Sequence, residues 1–295
     1  MQLEYRVVDV FTDVALEGNP LAVFLDGRNL DSAVMGRITR ELNLSETTFI
    51  LPPNHHECVA KVRIFTPGAE LRFAGHPTIG TAYVLRATGI VPKNRSSFVL
   101  EEAIGPVRVR VDEKGLIWLL TPPIERGKIY DSGACARAVG LDEGNLLEGV
   151  PCRRVTAGNP NIYIAVRDKA AVDRAWADLH SLRELTSGPD EPPSLFVFTP
   201  TSEGAYSRMF APEYGIIEDP ATGSATGPLA AFMMDYGLVS NADGTRFISE
   251  QGTKMGRRSF LHVLIHGRNG SDGIEVGGNV TPLTTATMSL PHGNG

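Results

Sequence analysis

The chain has 295 residues, of which 42% are hydrophobic and 21% charged, with 31 Gly and 20 Pro; this is the profile of a folded, turn-rich protein and excludes a disordered or fibrous one. At roughly 150 residues per domain the length allows about two domains. With 28 basic against 34 acidic residues the net charge is −6, so nucleic acid and anionic membranes are excluded as partners, and an acidic ligand would have to be held by local groups such as helix N-termini.

Taken in chain order, Leu3 to Val10 reads as a strand, and its Glu4, Arg6 and Asp9 interrupt the apolar stretch that an export signal would need. Gly18-Asn19-Pro20 is a turn leading into an apolar, strand-like run. Asp31 to Leu42 is an amphipathic helix with Asp31 or Ser32 as its cap and Val34, Met35, Ile38 and Leu42 on one face. Glu46 is a single charge at the start of a β-rich stretch; on composition alone it is a solvated strand residue or a partner of Arg40. His55-His56-Glu57-Cys58 has metal-ligand residue types but no second cluster at zinc spacing, so a polar loop is expected and no metal.

Cys58 to Phe65 alternates as a half-buried strand, and Val107–Val111, Ile117–Leu120, Ile162–Val166 and Phe196–Phe198 also read as strands. Between Pro77 and Leu85, and again between Pro220 and Met234, there is no charged residue. Each segment is therefore expected to be a helix buried on every face. Neither reaches the roughly 20 apolar residues of a membrane span. Three cysteines, Cys58, Cys135 and Cys152, lack CxxC spacing, which argues against a disulfide framework or zinc and fits a reducing cytoplasm. His262 and His266 fall in a strand pattern, and Thr222-Gly223-Ser224-Ala225-Thr226-Gly227 lacks the first glycine of a nucleophile elbow. No Walker A or dinucleotide-binding glycine pattern is present, so no nucleotide cofactor is implied.

Short matches recur in order along the chain. Gly18-Asn19-Pro20 is echoed by Gly158-Asn159-Pro160, Arg63-Ile64-Phe65-Thr66-Pro67 by Arg208-Met209-Phe210-Ala211-Pro212, and His76-Pro77 by Asp219-Pro220. A competing alignment pairs Ala74-Gly75-His76-Pro77 with Thr222-Gly223-Ser224-Ala225. A duplication follows, with its seam near Thr121-Pro122-Pro123. The expected fold is α+β: two pseudo-symmetric halves, about 1–127 and 128–295, each a curled, mostly antiparallel sheet around a central buried helix, with the last strand free to cross back to the first half. Both helices are read as beginning with a titratable residue and Pro, with Gly75, Gly80, Gly223 and Gly227 leaving backbone open to a ligand. If a pseudo-twofold brings the halves face to face, two helix N-termini converge on one cleft suited to a small carboxylate.

Phe65-Thr66-Pro67, Glu70 through Gly80, Glu218 through Ala225, Asn43 through Phe49, and Asp9-Val10-Phe11 with Gly18-Asn19-Pro20 together resemble the PhzF phenazine-biosynthesis isomerase family, from Val7 to about Gly278. The resemblance implies the diaminopimelate epimerase-like fold and a cofactor-independent isomerase of a small unsaturated or amino carboxylate, similar to trans-2,3-dihydro-3-hydroxyanthranilate isomerase, acting as a cytoplasmic homodimer. It also implies a glutamate proton shuttle at Glu46, with His76 and Asp219 holding and polarising the substrate. Gly75, Gly223, Ser224 and Asn19 would be substrate-binding. A buried Glu46 would have its pKa raised toward neutrality and could both take and return a proton. Epimerases of the same fold use two facing cysteines; the competing alignment puts Ala74 and Thr222 there, which leaves a single carboxylate base and hence an activated C–H. An epimerase or lyase of another small acid, or a non-catalytic anion-binding protein, are the alternatives.

Overall fold

The computed structural model describes residues 1–186 and 194–290. The chain divides into two compact units, one made of Met1–Leu120 together with the chain from Gly277 onward, the other of Thr121–Val276. The division falls just ahead of the Pro122-Pro123 pair, and the last strand, Val280–Ser289, pairs antiparallel with the first, Gln2–Val10.

In the first unit, Gln2–Val10 also pairs antiparallel with Asn19–Phe24, which runs parallel to Glu46–Leu51. Glu46–Leu51 pairs antiparallel with Cys58–Phe65, and Cys58–Phe65 lies parallel to Ser97–Glu102, which is followed by Gly105–Val111. The second unit repeats the order. Arg153–Thr156 is antiparallel to Pro160–Ala165, Pro160–Ala165 parallel to Ser194–Thr201, Ser194–Thr201 antiparallel to Gly204–Ala211, Gly204–Ala211 parallel to Arg246–Gln251, and Arg246–Gln251 antiparallel to Ser259–His266. The sheets are therefore mixed. Each parallel pair occurs where a helix intervenes in the chain, because a tight hairpin can join only antiparallel neighbours. In both units the second parallel connection contains the central helix.

Those helices are Gly75–Ala87 and Gly223–Asp235, each 13 residues long. In the first, every residue from Gly75 to Ala82 is buried, and it touches strands Gln2–Val10, Asn19–Phe24, Glu46–Leu51, Cys58–Phe65, Ile117–Leu120 and Val280–Ser289. In the second, Ala225, Leu229, Ala230, Phe232 and Met233 share a core with Tyr163, Phe196, Phe198, Phe247 and Val263. Segments without a charge can be enclosed in this way because no side chain must reach water. The glycines of these helices serve that enclosure. A Cβ on Gly80 would lie 2.6 Å from Leu21 and 2.9 Å from Val10, and one on Gly227 would collide with Thr121. Gly80 and Gly227 therefore bring the helix against its own unit rather than opening backbone to a ligand, which corrects the sequence expectation.

The pairing of His76 with Asp219 is corrected too. The helices begin at Gly75 and Gly223, in the register of the competing alignment, so the counterpart of His76 is Ser224. Asp219 closes the strand Ile216–Asp219, and Pro220 precedes the helix instead of opening it. The cause is a set of side-chain bonds at this turn: the Thr222 backbone N–H donates to Gln251 Oε1 at 3.1 Å and the Thr222 hydroxyl donates to Asp219 Oδ2 at 2.5 Å, which keeps this turn outside the helix. The recurrence of Arg63 and Arg208 has an equally local reason. Arg63 makes a two-pronged ion pair with Glu70 (2.7 and 2.6 Å) and covers the Phe65 ring; Arg208 does the same with Glu218 (2.8 and 2.7 Å) and Phe210. Each clamp fastens the short strand that delivers the chain to its central helix.

Candidate active site

In the first unit the site is built around the start of the Gly75 helix. Asn19 opens its strand and Glu46 opens the next, and the parallel register sets Leu21 beside Glu46. Gly18 makes the approach possible: its φ is +69°, and a Cβ there would run into the Val10 carbonyl. Asn19, Glu46 and His76 are all buried, Glu46 at 9% exposure, so Glu46 is neither a solvated strand residue nor a surface partner of Arg40. His76 Nδ1 lies 3.4 Å from Glu46 Oε2 and 3.3 Å from Asn19 Nδ2, and Ser45 Oγ donates to Asn19 Oδ1 at 2.8 Å.

Burial lowers the His76 pKa to about 3, against the opposing effect of the Pro20 backbone contact, so the imidazole is neutral at neutral pH. Its 3.4 Å approach to Glu46 Oε2 is then the contact of a neutral ring with a carboxyl and not an ion pair. His76 Nε2 is buried with no hydrogen-bond partner among the described residues. The helix begins at Gly75, and the capping position before it is Ala74, whose side chain cannot cap it. The N–H groups of Gly75 and His76 thus lie at the positive end of the helix dipole with no capping side chain to accept from them, and the His76 ring reaches the Glu46 carboxyl.

In the second unit the corresponding helix start is organised by a neutral amide. Gln251 accepts from the Thr222 N–H, and its Nε2 donates to the Asp219 carbonyl at 2.7 Å and to Thr222 Oγ1 at 3.0 Å. Gly252, with φ of +76°, lets the Gln251 strand turn beneath the Pro220 carbonyl, where a Cβ would collide. Asp219 is buried at 7% exposure, Gly223 is buried, and Ser224 is half-buried. Thr222 and Gln251 escape a reading of local motifs because Gln251 follows Thr222 by 29 residues. Ser45 was within reach of such a reading, being adjacent to Glu46.

Among the described residues no group of three or more His, Cys, Asp or Glu could hold a metal ion. All three cysteines are free and buried, and the two helix-capping positions hold Ala74 and Thr222. No helix of the described residues is long and apolar enough to cross a membrane.

Residues 8–286 match the family model described as phenazine biosynthesis-like protein, PhzC-PhzF. An uncharacterized isomerase of Mesorhizobium japonicum is 37% identical over 97% of this chain and 98% of its own. The trans-2,3-dihydro-3-hydroxyanthranilate isomerase of Pseudomonas fluorescens is 32% identical over 97% and 99%. Among solved structures, a PhzF-family phenazine biosynthesis protein of Bacillus anthracis superposes with a TM-score of 0.88 over 98% of this chain and 100% of its own, at 23% identity. A hydroxyproline epimerase of Agrobacterium vitis shares the fold at a TM-score of 0.67 and 14% identity, over 98% of this chain and 93% of its own. The duplicated sheet-and-helix unit is thus the diaminopimelate epimerase-like fold. With the family's model matching nearly end to end, and relatives named as isomerases along the full length, the chain belongs to the phenazine biosynthesis-like (PhzF) family and is an isomerase.

Proposed function

We propose that the protein is a cofactor-independent isomerase of a small unsaturated or amino carboxylate, trans-2,3-dihydro-3-hydroxyanthranilate or a close analogue, and that Glu46 shuttles the proton. One carboxylate oxygen takes a proton from an activated carbon, allylic or next to a carbonyl, leaving a delocalised anion. The same oxygen then returns that proton to another carbon of the conjugated system on the same face, so the net reaction moves one hydrogen and one double bond. His76 and Asp219 hold and polarise the substrate; Asn19, the Gly75 and Gly223 backbone and Ser224 bind it, with the helix N–H groups donating to its carboxylate.

The observation that carries this reading is the buried Glu46 carboxyl in contact with a neutral His76 at an uncapped helix start. A neutral imidazole supports it further, since a cation there would stabilise the carboxylate and weaken it as a base. Having Ala74 and Thr222 at the helix caps, away from any thiol, favours one carboxylate over a cysteine pair. The full-length relatives named trans-2,3-dihydro-3-hydroxyanthranilate isomerase supply the substrate class.

The test is Glu46→Gln assayed with trans-2,3-dihydro-3-hydroxyanthranilate. The expected result is a turnover loss of about 10²- to 10⁴-fold with the fold and anthranilate affinity retained. A loss below about tenfold removes Glu46 as the shuttle, and a wild-type enzyme inert toward this substrate removes the substrate assignment.

A further inference from the structure

Glu102 closes the strand Ser97–Glu102 and lies at 3% exposure beside the first turn of the Gly75 helix. The reaction above makes no use of it. Its Oε1 is 2.6 Å from Thr78 Oγ1, and that same hydroxyl oxygen is 2.7 Å from the carbonyl oxygen of Ala74. Thr78 has one hydroxyl proton to give and two oxygens at short range. With an ionised Glu102 the proton would go to the carboxylate, and the Ala74 carbonyl would lose it. With a protonated Glu102 both short contacts are satisfied in one direction: the Glu102 O–H donates to Thr78 Oγ1, and the Thr78 O–H donates to the Ala74 carbonyl.

The surroundings favour the protonated form. Burial pushes the Glu102 carboxyl up to about 8, outweighing the contact with Thr78. Its other oxygen is buried with no hydrogen-bond partner among the described residues, a position that disfavours a carboxylate more than a neutral acid. The neighbouring charges are committed elsewhere. Glu101 accepts from Asn54 and the His55 N–H and faces Lys61, Arg63 is held by Glu70, and His76 on the same helix is neutral and turned to Asn19 and Glu46.

The consequence lies in the peptide group that follows Ala74. The Ala74 carbonyl and the Gly75 N–H belong to one planar unit and point in opposite directions, so anchoring the carbonyl fixes the line along which the N–H points. We propose that Glu102, in its protonated form, is a positioning residue that acts through Thr78 to lock the Ala74–Gly75 peptide plane and so aims the Gly75 N–H at the substrate carboxylate. The aim at a substrate rests on the function proposed above; the lock does not. The second unit carries a parallel device: Thr226, the fourth residue of its helix as Thr78 is of the first, donates to the Thr222 carbonyl at 3.0 Å. The side chain engaging that helix start is Gln251, a neutral amide.

Glu102→Gln, Glu102→Leu and Thr78→Val test this in the full chain. Gln keeps a neutral donor at the carboxyl position at every pH; Leu and Val break the chain of donors. The carbonyl ¹³C resonance of Ala74 reads the lock directly. It should be unchanged in the Gln variant and displaced in the Leu and Val variants, and in the wild type alone it should titrate near the Glu102 pKa. Urea unfolding gives a second reading. The folded carboxyl keeps its proton to about 8 while an unfolded one releases it near 4.5, so wild-type stability should fall relative to Glu102→Gln as pH rises through that window and then run parallel. With trans-2,3-dihydro-3-hydroxyanthranilate, Leu and Val should raise KM about tenfold with a smaller change in kcat, and Gln should stay within about threefold, as loss of one neutral hydrogen bond implies. A Gln variant as impaired as the Leu variant, an Ala74 resonance indifferent to Thr78→Val, or parallel stability profiles would overturn the lock. An inert wild type would count against the proposed substrate alone, since the resonance and the unfolding profile decide the lock without it. Should Glu102→Leu fail to fold, the contrast between Thr78→Val and Glu102→Gln decides the lock by the same readings.

Discussion

The two central helices begin in the same register and are held in place by different chemistry. At Gly75 the neighbours are titratable: a neutral His76, a buried Glu46 and Glu102 behind the first turn. At Gly223 the turn is fixed by Gln251, whose amide makes three hydrogen bonds, with Asp219 accepting from Thr222. Duplication kept the helix, its packing glycines and the Arg–Glu clamps. Buried titratable side chains stand at both helix starts, Glu46, His76 and Glu102 at the first and Asp219 at the second, and only the second is also held by a neutral amide. A carboxyl proposed to exchange a proton would gain from a low-dielectric, uncharged setting, whereas a turn that has to stay in place is well served by an amide whose bonds do not change with pH.

The largest expected effect separates the acids. Glu46→Gln should lower turnover by about 10²- to 10⁴-fold, while Asp219→Asn, which keeps an acceptor for Thr222, should act mainly on KM; steady-state kinetics of the pair break the comparison if the two losses are alike. Next is the scaffold. Gln251→Leu leaves the buried Thr222 N–H without its acceptor and should cost about 1–3 kcal/mol in urea unfolding. Gln251→Glu should be tolerated at low pH and destabilise increasingly as pH rises, because an ionised carboxylate cannot donate to the Asp219 carbonyl.

Packing comes third. Gly227→Ala drives a Cβ into the β-branched Thr121, whereas Gly80→Ala meets the ends of Leu21 and Val10, so the former should be the more destabilising, by about 1–3 kcal/mol against less than that. At neutral pH the smallest effect is that of His76, whose contribution shows only in acid. Folded His76 resists protonation until about 3, while an unfolded one protonates near 6.5, so stability should be lost as pH falls through that window, and His76→Asn should flatten that part of the acid slope.

Much of the architecture was legible in the sequence because it is written in local chemistry. The alternation of Cys58–Phe65 marks a strand of those same bounds, and the uncharged stretches after Pro77 and Pro220 mark enclosed helices. What misled was proline. His76-Pro77 and Asp219-Pro220 look alike in one dimension, but Pro77 sits inside the first turn of its helix and Pro220 before one, a difference set by Gln251 from a strand far along the chain. The shared threonine, Thr78 and Thr226, was the better guide to register. Glu46 could be singled out only through the family resemblance, since its neighbours Asn19 and His76 come from distant stretches of sequence. Glu102 was hidden for a related reason: next to Glu101 it reads as half of an ordinary acidic surface pair, and only the sheet's alternation turns one carboxyl outward to Lys61 and the other inward to Thr78.

Central to the proposed reaction is one carboxyl carrying one proton between two carbons. The direct measurement is single-turnover conversion of trans-2,3-dihydro-3-hydroxyanthranilate deuterated at the carbon that loses its hydrogen, run in ordinary water, with the product's isotope content read at the receiving carbon. Transfer of part of the deuterium to that carbon, and loss of the reaction in Glu46→Gln, is the predicted result. Undiminished conversion by Glu46→Gln would contradict it.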